Sequence, residues 1–270
     1  MNTARRIMLL FFILALARPA LASDVPPVAA AADLQFALAR IAQQFQADTG
    51  SNVRLTFGSS GNFTRQIEQG APFELFLSAD ERFVFSLSDK GLTRDRGQLY
   101  GSGRLVLFVP HGSPLDAAQG LEGVRDALAH QALQRFAIAN PEHAPYGRAA
   151  MAALDSQGLS DLIRPRLVFG ENAAQAAQFA ASGASQGGII PLSLVRAEQI
   201  ARLGAAWLIP AEWHAAEPLH QRMVLTSKAG KTAAAFYHYL QEPPAQAILR
   251  EYGFEVPGHA EQTAGVAERK

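Results

Sequence analysis

The stretch Val53–Asp80, "VRLTFGSSGNFTRQIEQGAPFELFLSAD", carries the pattern that decides the fold. A short apolar run ending at Phe57 reads as a strand, and the small or polar residues Gly58–Asn62 break it off. A helix-like pattern follows from Asn62 to Glu68, and "ELFLSAD" (Glu74–Asp80) then reads as the next strand. Ser59 and Ser60 therefore lie where a strand hands over to a helix, with no obvious base beside either. Hydroxyls at such a junction attack a substrate, hold a ligand, or cap the helix.

The same rhythm extends in both directions. Upstream, "VPPVAAAA" is a strand, and Leu34, Leu38, Ile41 and Phe45 recur at helical spacing between Asp33, a natural N-cap, and Gly50, a helix stop. Downstream come the helix "ERFVFSLSDKG", the strand "GRLVLFVP" and a helix around Gly123–Ala129. The strand "RFAIAN", the loop "PEHAPYG" and the helix "RAAMAALDSQG" follow. Last in this series are the strand "PRLVFG", the helix "NAAQAAQFAASG" and the strand "GGIIPLSL". This alternation predicts parallel sheets with helices on both faces, hence an α/β fold. Small-residue loops follow strands at Ala29–Asp33, Gly58–Gly61, Pro141–Gly147 and Gly170–Asn172, each leading into a helix. Ligands of α/β sheets sit beyond the carboxyl ends of strands, where helix N-termini offer free N–H groups and a positive dipole end. Several of these facing one cleft would form an anion site without an arginine.

Composition narrows the function. Acidic and basic residues number 24 each, which argues against a surface for nucleic acid or anionic lipid. There is no cysteine, so disulfides, thiolate metal sites and cysteine nucleophiles are excluded. The start, "MNTARRIMLLFFILALARPALAS", has a basic region, an apolar stretch too short to be a comfortable membrane span, and a small-x-small site at Ala20–Ala22. It reads as a signal peptide over residues 1–22, cleaved after Ala22, so a soluble periplasmic protein is expected. The polar residues 258–270 are expected to form a disordered tail.

One enzymatic reading competes. Gly183-Ala184-Ser185-Gln186-Gly187 fits G-x-S-x-G, which with Ser185 or Ser60 as nucleophile would make a secreted serine hydrolase. A nucleophile elbow needs a strand leading in and a helix leading out, whereas here the order is reversed. The seven histidines form no H-x-x-x-H pair, and His143 and His220 read as surface or loop residues. No phosphate-binding Walker loop is present, and neither an enzyme nor a bound cofactor is expected.

With "AAAADLQFAL" before it and "NPEHAPYGRAA" after it, the serine loop resembles the periplasmic molybdate-binding proteins of ABC transporters, as does the closing "AFYHYLQEPPAQAILREYGF". The resemblance runs from Val28 to Phe254 and implies the type II periplasmic binding fold: two α/β lobes, two crossover strands, and an oxyanion in the cleft. The crossovers are expected near "GRLVLFV" and "QRMVLTS". Lobe 1 would span residues 23–103, lobe 2 residues 104–222, and the return to lobe 1 residues 223–257.

The resemblance also implies that molybdate or tungstate is held by neutral donors at Ala32, Asp33 and Ser60 from one lobe, and Tyr146 and Ala173, just after Asn172, from the other. Ser59 or Asn62 would serve the turn and cap. Implied partners are an ABC permease and its ATPase, and a monomer is expected. Two departures stand out. Pro191 replaces a ligand-binding tyrosine found in one branch of the family, and Asp33 stands where serine or asparagine is usual. Either Asp33 caps its helix and turns its carboxylate away, or the carboxylate faces the ligand. The second orientation would favour an oxyanion that carries a proton, such as hydrogen phosphate.

Overall fold

The computed structural model describes residues 25–257. The expected signal peptide and tail lie outside the described residues.

Strand β1 (Pro27–Ala31) runs into a single 3-10 turn at Ala32–Leu34 and then helix α1 (Gln35–Thr49). Gly50 ends α1 in the left-handed conformation, φ 71°, and its N–H donates to Gln46 O. Strand β2 (Arg54–Gly58) leads into α2 (Ser60–Glu68), and β3 (Leu75–Ser78) into α3 (Glu81–Asp89). Both helices start at capping side chains, Ser59 accepting from Asn62 N–H and Asp80 from Arg82 N–H. Strand β1 pairs in parallel with β2 and β3, as the alternation predicts.

The chain then turns antiparallel. Strand β4 (Gln98–Ser102) is the last element of this pass in the first sheet, and β5 (Leu105–Pro110) opens the second, so the crossing lies at Gly103–Arg104. Helix α4 (Gly120–Ala129), β6 (Phe136–Ala139), α5 (Pro145–Ser156), α6 (Ser160–Ile163) and β7 (Leu167–Gly170) build the second lobe. Helix α7 (Ala173–Ala181), β8 (Gly188–Pro191), the short α8 (Leu192–Val195) and α9 (Glu198–Ala201), and β9 (Gly204–Leu208) complete it. The return passes through a 3-10 turn at Ala211–His214 into β10 (His220–Leu225), which pairs antiparallel with both β3 and β4. The two five-stranded sheets have the orders β2-β1-β3-β10-β4 and β7-β6-β8-β5-β9. The expected boundary after residue 222 falls inside β10, whose ladder to β4 starts at His220, so the chain re-enters the first sheet before that residue.

Helices α10 (Lys231–Tyr239) and α11 (Pro243–Glu251) close the first lobe. Its core joins Leu38, Ile41 and Phe45 of α1 to Phe236 of α10, with the Phe45 and Phe236 rings 5.0 Å apart. Phe108, Phe136, Ile138 and Ile189 anchor the core of the second lobe. The two crossings lie side by side, with Gly103 N–H donating to Leu219 O at 3.0 Å. Glu255 exchanges two main-chain hydrogen bonds with Ser102, at 2.8 and 3.0 Å, and so fastens the end of the described chain to the first crossing.

Candidate functional site

Three helix N-termini meet where the lobes face each other. Ser60 and Ala173 occupy the first positions of α2 and α7, and Tyr146 the second position of α5. N–H groups at such positions have no partner within their own helix. They border a tight cavity of about 10 Å³ lined by Ala31, Ala32, Asp33, Gly58, Ser59, Ser60, Ala79, Ala144, Pro145, Tyr146 and Ala173. Neither lysine, arginine nor histidine is in this lining. A larger interlobe groove, of about 570 Å³, shares Ala32 with the cavity and runs along Gln35, Phe36, Gln175 and Gln178. It is wide, and neither the α2 nor the α5 N-terminus borders it, so we place the candidate site in the smaller cavity.

The serine pair divides the work that the sequence left open. Ser59 Oγ accepts the Asn62 N–H at 3.4 Å as the N-cap and sits 3.0 Å from His143 Nδ1 of the second lobe. Ser60 is fully buried, and its Oγ accepts the Ala79 N–H at 3.0 Å. That bond occupies a lone pair and leaves the hydroxyl proton free to be donated into the cavity that Ser60 lines. On the opposite wall Asn172 does not line the cavity. It caps α7 by accepting the Gln175 N–H at 3.0 Å, which aims the start of that helix, at Ala173, toward the site.

Asp33 departs from the expected helix cap. The N-cap position of α1 is Leu34, without a side-chain bond, because a 3-10 turn precedes the helix and the Asp33 carboxylate is drawn elsewhere. Its Oδ2 accepts the Tyr146 hydroxyl at 3.0 Å and Gln221 Nε2 at 2.7 Å, while Oδ1 is buried without a hydrogen-bond partner. Gln221 Nε2 also lies 3.0 Å from Tyr146 Oη, and Gln221 Oε1 accepts the Tyr100 hydroxyl at 2.6 Å. Burial pushes the Asp33 carboxyl up to about 6, and the bonds from Gln221 and Tyr146 only partly offset it. The same burial, with the Asp33 charge beside them, raises both tyrosines well above their ordinary value. Tyr146 can approach this closely because residue 103 is glycine: a Cβ there would stand 2.1 Å from its hydroxyl oxygen.

The structure thus brings Ala32, Asp33, Ser60, Tyr146 and Ala173 together and puts Asn172 behind them. The sequence motifs give no sign of Gln221 or Tyr100, and of the surface or loop position expected for His143 the loop holds and the surface does not. His143 is buried at the lobe boundary. Its carbonyl accepts the Gly61 N–H at 3.0 Å, and its Nε2 lies 3.4 Å from Glu171. Pro191 ends β8 opposite Leu105 and does not line the cavity. The Ser185 hydroxyl donates to the Phe179 and Gly187 carbonyls at 3.3 and 2.9 Å, which leaves no poised nucleophile in that turn. Among the described residues no cluster of His, Asp or Glu is arranged to hold a metal ion.

Residues 27–255 match the family model of bacterial extracellular solute-binding proteins. The chain belongs to that family. It is a family of binding proteins rather than enzymes, which removes the hydrolase reading of Ser185 and Ser60. The chain is 36% identical over 230 residues to the molybdate-binding protein ModA of Azotobacter vinelandii, covering 84% of this chain and 88% of that one. It is 34% identical to ModA of Rhodobacter capsulatus, covering 91% and 93%. The solved periplasmic molybdate-binding protein of A. vinelandii superposes with a TM-score of 0.78 at 31% identity, over 86% of this chain and 99% of that one. A sulfate-binding protein of Mycobacterium tuberculosis shares the fold alone, with a TM-score of 0.68 at 15% identity over 87% and 88%.

Proposed function

We propose that the protein is the periplasmic binding component of an ABC importer, closing on one tetrahedral oxyanion, molybdate or tungstate, and handing it to a membrane permease driven by an ATPase. The observation that carries this reading is the convergence of the α2, α5 and α7 N-termini on one small interlobe cavity without a cationic side chain. The printed names of the molybdate-binding relatives support the ligand class. The donors are the N–H groups at Ala32, Asp33, Ser60 and Ala173 with the Ser60 hydroxyl. Tyr146, through its bond to Asp33, links the second lobe to the first.

The energetics suffice without an arginine. A hydrogen bond to a charged group contributes about 1.5–3 kcal/mol. Micromolar to nanomolar affinity needs about −8 to −12 kcal/mol, so a handful of such bonds meets it after the costs of ordering and desolvation. Closure removes water from the anion and lets the α7 and α5 termini reach an oxyanion resting on the Ser60 loop. Cavity size then discriminates by anion radius.

Calorimetric titration of the purified protein with molybdate, tungstate, sulfate and phosphate tests the reading. One molybdate or tungstate per chain at micromolar affinity or tighter, with sulfate at least a hundredfold weaker, is expected. Heat from none of the four would refute it.

A further inference from the structure

Asp33 gives this cavity a property that a ring of N–H groups lacks. Among the described residues it is the only ionisable carboxyl lining the space, its Oδ1 is buried without a partner, and no lysine, arginine or histidine in the lining offsets its charge. The groups packed around it bring no positive charge, and hydrogen bonds from Gln221, Tyr146 and the Asp33 and Leu34 main chain offset its burial only in part. Tyr146 of α5 and Gln221 of β10 both approach Oδ2, Tyr100 of β4 reaches Gln221, and the Ser193 hydroxyl of α8 donates to the Asp33 main-chain carbonyl. The nearest histidine described at the site, His143, is turned to Ser59 and Glu171. A dianion closed in beside an ionised Asp33 would put three negative charges into one small buried space.

We propose that this site takes up its oxyanion together with one proton, shared between Asp33 Oδ1 and the facing ligand oxygen, making Asp33 the residue that sets specificity by protonation state. The inference rests on the proposed oxyanion-binding function. When the ligand is fully ionised, as molybdate is at neutral pH, the proton comes from solvent onto the carboxylate, which then donates to the ligand. When the ligand carries its own O–H, as hydrogen phosphate does, the ligand donates to ionised Asp33 and no proton is drawn from solvent. The carboxyl is prepared for the first case, since burial already holds it at about 6.

The sign follows from linkage. Binding raises the Asp33 pKa, so the complex is favoured at low pH and weakens as pH rises past about 6. The test is titration of the purified protein with molybdate and with phosphate at pH 6, 7 and 8, in two buffers of different ionisation enthalpy. For molybdate, uptake of close to one proton per anion is expected at pH 8, with the dissociation constant rising about tenfold per pH unit. The Asp33→Asn variant should bind molybdate with no proton uptake and no pH dependence over that range. Phosphate bound as hydrogen phosphate, with no uptake, supports the same shared proton from the other source. Molybdate binding by the wild-type protein that is independent of pH and of buffer would overturn the proposal while leaving the oxyanion function standing. Absence of binding by any oxyanion at all three pH values would overturn the function itself, and the proposal with it.

Discussion

Gly61→Ala probes lobe closure without touching either core. Gly61 is the second residue of α2, and its N–H donates to His143 O of the other lobe at 3.0 Å. A Cβ at this position would stand 2.8 Å from that oxygen, 3.0 Å from the His143 Cβ and 3.1 Å from its Cα. Two of these obstacles are main-chain atoms and cannot swing aside. Reaching ordinary contact requires the lobes to part by about half an ångström at this point, which stretches the Gly61–His143 bond and strains the neighbouring Ser59–His143 contact. Losing one or two hydrogen bonds of about 0.5–1.5 kcal/mol each weakens molybdate binding by about 0.5–3 kcal/mol, roughly two- to a hundredfold. Folding should not suffer. Phe63 and Ile67 keep α2 on its core, and alanine is favoured over glycine inside a helix by about 0.5–1 kcal/mol. Calorimetry with molybdate and thermal unfolding of the ligand-free variant measure the two quantities separately. A weakened dissociation constant with an equal or higher Tm is expected. An unchanged dissociation constant would refute the idea that the lobes close this tightly around the anion.

Other changes separate the contributions of site and scaffold. Ser60→Ala removes a hydroxyl aimed at the cavity and should weaken molybdate binding about tenfold or more in the same titration. For ligand-free protein, Asp33 adds a pH term with a defined sign. Its folded pKa is raised to about 6 from 3.8, so its contribution to stability is fully present below about pH 4 and lost as pH rises through about 6. Closing over the ionised group therefore costs up to about 3 kcal/mol at pH 8, and Asp33→Asn should raise Tm at pH 8 relative to wild type but not at pH 4. A Tm difference that does not change between those pH values would show that Asp33 is hydrated. Phe236→Ala opens the first-lobe core against Phe45 and should lower unfolding stability by about 3–5 kcal/mol in denaturant titration, with m unchanged.

The fold was legible where local pattern and tertiary role agree. Gly50 stops α1 as expected, Ser59 caps α2, and the parallel pairing of β1 with β2 and β3 follows from strand–helix alternation. Strands β4 and β9 escaped notice because both lie at sheet edges and are partly exposed. "QLYGS" and "GAAWL" carry glycine or alanine where a central strand would show an apolar run. Helix α5 starts at Pro145, ahead of the expected Arg148, since proline suits a first helical turn and carries Tyr146 into the helix. The one apolar strand read at "GGIIPLSL" stops at Pro191 and turns into α8, which brings Ser193 to Asp33.

At the site, residues whose role is local were readable and those acting across the lobes were not. Ser60 announced itself by its junction. Asp33 has strong capping propensity, yet its partners Tyr146 and Gln221 are 113 and 188 residues away, and that long-range network overrides the local preference. Gln221 left one signal, a polar residue at an inward position of a strand, and it is fully buried. His143 looked like a loop histidine because the groups it meets, Ser59 and the Gly61 N–H, belong to the other lobe.

The central claim is that the anion sits where the α2 and α7 N-termini meet. Crystals of the protein grown with molybdate, measured across the molybdenum absorption edge, locate that atom independently of any model of the site. The account predicts one anomalous peak per chain in the cavity, with ligand oxygens within hydrogen-bond distance of the Ser60 hydroxyl and the Ser60 and Ala173 N–H groups. A peak confined to the groove along Gln35 and Gln178, or a cavity holding only water at saturating molybdate, would contradict it.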